Sequence, residues 1–265
     1  MEDGTAHFFP TFQALLEKDE FTISCDPYEG VIGRVLSSLQ LIDPTDVEWY
    51  ESKLDASPLQ VRDFMSGSGR LALLASKRGH CVTAIDRSPD IIALSRYQDW
   101  NVTFTLGNVL DAREVHYRIQ ADVVTCGGKS VSLLSKTDRC LLFNSIRTSL
   151  RPGGYLLGDS YSRFSSKATI ANIIPLNLLA GRLLWIETHT YPLSSTMVTN
   201  FLLEPNNLIG DPQYRMLSSQ RHWGIDPDLL SQELAAYDLK VEEIIEESTS
   251  GEPQLEYYRF AARAI

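Results

Sequence analysis

Several classes of protein are set aside by what this chain lacks. Its 4 cysteines, Cys25, Cys81, Cys126 and Cys140, stand singly with no C-x-x-C pair. Neither a zinc site nor a disulfide framework is expected from that spacing, and a reducing, cytoplasmic setting is. No Lys/Arg-rich run occurs and the formal net charge is −10, so the clustered cations that hold a phosphate backbone are missing and nucleic acid is not an expected partner. No run of about 18 apolar residues appears. The opening Met1-Glu-Asp-Gly-Thr-Ala-His7 is acidic and has no apolar core, so neither a membrane span nor secretion is expected. There are no repeats or low-complexity tracts. With 265 residues, 43% of them hydrophobic, the chain is long enough for one substantial core carrying a small cap. A small molecule or a peptide fits this balance as partner, and no metal site is expected.

The order of elements follows from periodicity. Residues 1–58 read as a mainly helical segment that serves as a lid, with Phe12, Leu15 and Leu16 on one short face and Val31, Val35, Leu36 and Leu39 on another. Beyond it, strands alternate with helices, the signature of a parallel sheet covered on both faces. Strands are predicted at 59–65, 81–86, 102–106, 121–126 and 155–159, the last entered through the turn Arg151-Pro-Gly-Gly154. Residues 160–224 break this rhythm and read as an inserted antiparallel cap within a domain spanning 59–265. In it, 164–181 resembles a helix interrupted by Pro175, and 182–191, 196–204 and 214–223 read as strands. A helix from Asp226-Pro227 and a final antiparallel strand pair complete the chain. The fold class is therefore α/β: a Rossmann-like, mostly parallel seven-stranded sheet with flanking helices.

The richest stretch is Val61-Arg-Asp-Phe-Met-Ser-Gly-Ser-Gly-Arg-Leu-Ala72, a buried strand turning through two glycines into a helix. Such a turn lets a nucleotide-like ligand approach the backbone and meet the amides of a helix N-terminus. In an open parallel sheet, ligands bind beyond the carboxyl ends of the strands, where Asp63, Gly67, Gly69, Asp86, Asn108, Cys126 and Asp159 all fall. Asp86 lies about 20 residues past the first glycine, the spacing at which a carboxylate accepts hydrogen bonds from a ribose. That spacing serves nicotinamide and adenosyl cofactors alike.

Asp63-Phe-Met-Ser-Gly-Ser-Gly-Arg70, Asp86-Arg-Ser-Pro-Asp90, Gly107-Asn-Val109 and Leu150-Arg-Pro-Gly-Gly-Tyr-Leu156 together resemble the class I S-adenosylmethionine-dependent methyltransferases, in particular their small-molecule branch. The resemblance covers about residues 55–160. It implies that S-adenosyl-L-methionine is the cofactor, with Gly67 and Gly69 against its methionine portion and ribose. Asp63 would orient its amino group, Asp86 would hold the ribose, and Asn108 with Val109 would meet the adenine. Tyr28, Ser66, Ser68, Arg87, Thr125 and Cys126 complete the expected cofactor set. Met65 stands where the family usually has glycine, and Asn108 replaces its usual aspartate.

Methyl transfer from a sulfonium asks the protein to align the reacting atoms and exclude water, and for a base only where the acceptor is protonated. In Trp185-Ile-Glu-Thr-His-Thr-Tyr191, alternation puts Trp185, Glu187, His189 and Tyr191 on one face. That face is the expected acceptor site, with His189, Glu187 and Tyr161 as candidate catalytic groups and Trp185, Tyr191, Arg221 and His222 as substrate contacts. The expected activity is methyl transfer to an oxygen or nitrogen of a small metabolite by a monomer or homodimer. Cyclising a substrate or cleaving the cofactor's aminobutyryl chain, a nicotinamide-dependent dehydrogenase, and a non-catalytic partner subunit are the rival readings.

Overall fold

Apolar and β-branched runs flanked by turn residues set the strands of this protein, and its computed structural model describes residues 7–40, 47–54, 57–95, 101–115, 119–176, 182–205, 214–249 and 255–265. The N-terminal part carries α1 (Pro10–Lys18), β1 (Thr22–Ser24), α2 (Gly30–Gln40) and α3 (Val47–Lys53). The alternating part follows with β2 (Gln60–Phe64), α4 (Arg70–Lys77), β3 (Cys81–Asp86), α5 (Pro89–Ser95), β4 (Val102–Leu106), β5 (Ala121–Cys126), α6 (Lys136–Ser149) and β6 (Leu150–Tyr161). Then come β7 (Thr169–Leu176), β8 (Arg182–Tyr191), β9 (Thr196–Leu203), β10 (Arg215–Trp223), α7 (Pro227–Ala235), β11 (Leu239–Ser248) and β12 (Glu256–Ala264). No helix among the described residues is long and apolar enough to cross a membrane.

The main sheet has seven strands in the order β11-β12-β6-β5-β2-β3-β4. Its central strands are parallel, and β12 runs antiparallel to both β6 and β11. This is the Rossmann-like sheet expected from the sequence. Both faces of the sheet carry buried apolar residues, with Phe64, Ile85 and Val124 in one cluster and Val61, Val82 and Ala84 in the other, as a doubly covered sheet requires. The Arg151-Pro-Gly-Gly154 segment is not a turn ahead of the strand: β6 already begins at Leu150 and the pairing with β5 slips between Ala121 and Val123. Gly153, at φ +77, supplies the left-handed residue of this bulge.

A second, five-stranded sheet has the order β1-β10-β9-β8-β7, and it is larger than the cap expected. Two corrections enlarge it. The stretch read as a helix around Pro175 is strand β7 over Thr169–Leu176, while 177–181 lie outside the described residues. Its three isoleucines favour a strand, and Pro175 is tolerated because β7 is an edge strand with no partner on its outer side among the described residues. The N-terminal segment is not helical throughout either, because Thr22-Ile-Ser24 pairs parallel with β10.

The two faces of this sheet are covered separately. Ile32 and Val35 of α2 pack on Leu184, Phe201 and Leu203, whereas Phe9 and Phe12 at α1 pack on Val198, Leu202 and Leu217. Asn200, wholly buried, pins the second arrangement by accepting from Phe9 N at 2.7 Å and donating to His7 O at 2.9 Å.

Candidate active site

The carboxyl ends of β2, β3, β4 and β5 and the α2 face of the smaller sheet enclose one cavity of about 1690 Å³. On its main-sheet side, β2 ends in Asp63, whose side chain is 2% exposed. Asp63 Oδ1 accepts from Thr125 Oγ1 at 2.7 Å and Oδ2 from Ala72 N at 3.1 Å. Burial dominates these bonds and pushes the carboxyl up to about 7. The chain then turns through Met65 and Gly67 at φ +52 and +54.

Asp86, at the end of β3, closes this turn. Its Oδ2 accepts from Gly67 N and its Oδ1 from Ser88 N, both at 2.9 Å. Burial raises its pKa, and the amides of Ser88, Gly67 and Arg87, with the Arg87 charge, oppose the rise. Each carboxylate oxygen keeps acceptor capacity beyond its single amide. Between these two acids, the Ser66 hydroxyl is buried with no hydrogen-bond partner among the described residues. An orphaned hydroxyl in the wall of a cavity fits a site that holds a polar ligand there.

Tyr28 is drawn into the same wall. Ser88 Oγ donates to Tyr28 O at 2.5 Å and Gln220 Nε2 donates to the Tyr28 hydroxyl, so one aromatic residue ties α5 to β10. Burial pushes its phenol up. Arg87 sits 5.8 Å from the Tyr28 ring and 3.6 Å from Asp26. Asn108 lines the cavity with its side-chain oxygen already accepting from Leu110 N at 3.0 Å. An amide oxygen meeting adenine from this position would share that acceptor with the turn.

Of the expected cofactor residues, Tyr28, Asp63, Ser66, Gly67, Ser68, Asp86, Arg87, Asn108 and Val109 line the cavity. Gly69, Thr125 and Cys126 stand behind its wall. Gly69, at φ +82, faces Phe104, whose ring carbon lies 2.7 Å from where a Cβ would stand. Thr125 acts through Asp63, and Cys126 is wholly buried in the core, where burial pushes its thiol up.

The expected acceptor residues divide. Tyr161, Arg221 and His222 line the cavity, and Tyr161 meets His222 edge-on with ring centroids 5.2 Å apart. Trp185, Glu187, His189 and Tyr191 do not line it. Their face of β8 is turned to α1: His189 stacks on Phe9 and bonds Glu187, Trp185 meets Phe12 edge-on, and Tyr191 packs in the cluster of Phe9 and Phe12. Alternation was read correctly, but the opposite face, carrying Ile186, reaches the cavity. The polar stripe is satisfied inside its own layer. The sequence reading missed Lys129 and the apolar wall of Leu36, Leu39, Ile186 and Phe201. Lys129 follows the carboxyl end of β5, so the strand-end rule that selected Cys126 reaches it three residues on.

Residues 61–154 match the family described as a methyltransferase domain. Among curated proteins, a ubiquinone biosynthesis O-methyltransferase of Xanthomonas euvesicatoria pv. vesicatoria is 25% identical over 166 residues, 58% of this chain and 63% of that protein. The match thus spans less than two thirds of that relative's length. Among solved structures, the CcbJ methyltransferase of Streptomyces caelestis superposes with a TM-score of 0.64 at 16% identity, over 84% of this chain and 90% of that one. The glycopeptide N-methyltransferase MtfA, solved with S-adenosyl-L-homocysteine, superposes with a TM-score of 0.61 at 19% identity, over 97% and 99%. These likenesses establish the shared fold. The resemblance to methyltransferases expected from the sequence is supported over residues 61–154 by this family match and the curated relative.

Proposed function

We propose that this chain, whose residues 61–154 match a methyltransferase-domain family, binds S-adenosyl-L-methionine and methylates an oxygen or nitrogen of a small molecule. One observation carries the reading. The unpartnered Ser66 hydroxyl lines the same cavity as the Asp63 and Asp86 carboxylates, beside a glycine amide, and Tyr161 and His222 line that cavity too. Bound S-adenosyl-L-methionine supplies a methyl group already activated on a sulfonium sulfur.

The chain's own residues then have distinct tasks. The Asp63 carboxylate is positioned by Thr125 and Ala72 to receive a cationic amino group. Asp86 offers the remaining lone pairs of both oxygens to a pair of ribose hydroxyls while it holds Gly67 and Ser88 in place. Val109 and Asn108 flank the space for a base. Tyr28, locked to Ser88 and Gln220, joins the N-terminal lid to the cap and keeps water from the reacting atoms. On this reading 1–58 form the lid and 160–224 the acceptor cap of a domain running over 59–265. The four free thiols support a cytoplasmic location. The charge of −10 supports a small acceptor rather than nucleic acid, handled by a monomer or homodimer.

Isothermal titration with S-adenosyl-L-homocysteine tests the reading. Asp86→Ala removes the ribose acceptors and the brace on Gly67 and Ser88, and affinity is expected to fall by about 100-fold or more. Unchanged affinity in a folded variant, checked by circular dichroism, would overturn the assignment.

A further inference from the structure

The part of the cavity beyond the cofactor side has a chemistry of its own. Cα partners across the smaller sheet place Ile186, Phe201, Ser218, Gln220 and His222 on one face. Ile186 and Phe201, with Leu36 and Leu39 of α2 opposite, make an apolar wall. At its polar end sits His222, 9% exposed, opposite Met197 in the sheet and edge-on to Tyr161. Its Nδ1 is enclosed by protein with no hydrogen-bond partner among the described residues, so Nε2 is the nitrogen left to meet a molecule in the cavity.

Lys129 supplies the charge that acts on this imidazole, and the buried Asp159 carboxylate accepts from the Lys129 backbone amide at 2.6 Å. Lys129 is near enough to act on it, and burial and Lys129 together hold His222 down to about 4, so the ring is neutral at physiological pH. Lys129 rests its ammonium 4.4 Å from the Tyr257 ring and makes no ion pair among the described residues. Of the carboxylates that line the cavity, Asp63 and Asp86 are taken by the cofactor on the proposed reading, and Asp26 and Asp138 are engaged within the protein. Asp26 accepts from Tyr28 N and faces Arg87, Asp63 and Asp86 are held as described above, and Asp138 accepts from Ser135 Oγ at 2.7 Å. None of them acts on His222.

We infer that the acceptor is a weakly acidic hydroxyl, a phenol or enol, on an apolar body, with its oxygen between His222 and Lys129, and that amines are disfavoured there. This inference rests on the proposed function and narrows it from oxygen or nitrogen to oxygen. A hydroxyl both donates and accepts, so it answers either tautomer of a neutral imidazole, and a nearby ammonium favours its ionised form. An aliphatic ammonium only donates, finds no open carboxylate, and must shed its proton beside Lys129. In the transfer, a lone pair of the hydroxyl oxygen forms the new bond to the methyl carbon, and the carbon–sulfur pair stays on sulfur, which leaves as a thioether. The hydroxyl proton leaves to solvent as the acceptor binds in its ionised form beside Lys129, and His222 Nε2–H donates to the oxyanion.

The test uses the full chain saturated with S-adenosyl-L-homocysteine and titrated with 4-nitrophenol, whose neutral and ionised forms absorb differently in the visible. The phenol is expected to bind as phenolate, with a bound pKa about one unit below the free value, and 4-nitrobenzylamine is expected not to displace it. Lys129→Met should abolish the shift and weaken binding about tenfold at pH 8 while leaving S-adenosyl-L-homocysteine affinity unchanged, and Lys129→Arg should retain both. Absence of phenol binding, an unshifted or raised bound pKa, or tighter binding of the amine overturns the inference while the cofactor reading stands. Failure of the wild-type chain to bind S-adenosyl-L-homocysteine overturns both.

Discussion

The imidazole of His189 lies flat on the ring of Phe9, with centroids 3.9 Å apart and planes 16° from parallel. The pair joins β8 to the start of α1, and a bond of 2.8 Å from His189 Nε2 to Glu187 Oε1 completes the contact. A histidine so placed serves the packing of the cap rather than the cavity.

His189→Ala is accordingly expected to lower stability by about 1–2 kcal/mol in urea unfolding, the loss of one aromatic contact and its burial. Affinity for S-adenosyl-L-homocysteine should stay within about twofold. A large loss of affinity without a loss of stability would return the Trp185–Tyr191 stripe to the site.

Asp63 gives the protein a dependence on pH with a defined sign. Its pKa rises from 3.8 to about 7 on folding, so the stability it contributes is fully present below pH 3.8 and is lost as pH rises through about 7. A cationic amino group bound beside it favours the ionised form. Affinity for S-adenosyl-L-homocysteine should therefore rise with pH between about 5 and 7 and level off above, with protons released on binding at the lower pH. Titrations in buffers of different ionisation enthalpy measure that release, and Asp63→Asn should abolish it. A pH-independent affinity in the wild-type chain would show that Asp63 does not face the amino group.

Met65 holds a left-handed backbone at φ +52 while its side chain packs on the main core. Met65→Ala and Met65→Gly lose the same packing, but only glycine relieves the backbone. The glycine variant is expected to be more stable than the alanine variant by about 0.5–1 kcal/mol, the left-handed penalty less the extra freedom of unfolded glycine. Urea unfolding of the pair reads this directly. The reverse order, which is the usual one elsewhere in a chain, would show that the turn relaxes when methionine is removed.

The main-sheet half of the cavity was legible because its residues are consecutive. The turn from Asp63 to Arg70 and the run Asp86 to Asp90 are built by local backbone, so spacing alone carries their geometry, and Asp86 does close on Gly67 N. The other half is assembled from α2, β8, β9, β10 and the loop after β5, which meet only when two sheets pack. Alternation along β8 says that two faces exist. It does not say which one turns to α1, because Phe9 and Ile32, which cover the two sides, lie far away in sequence.

The sequence by itself determined the parallel sheet, the glycine turn and the acid that braces it, since hydrophobic period, turn residues and short-range spacing are local properties. The tertiary structure alone decided that β1 and β7 enlarge the cap and that Pro175 sits on an edge. It also decided that His222 and Lys129, rather than His189, meet the cavity. Those outcomes depend on which layer covers which face, a choice made by long-range burial.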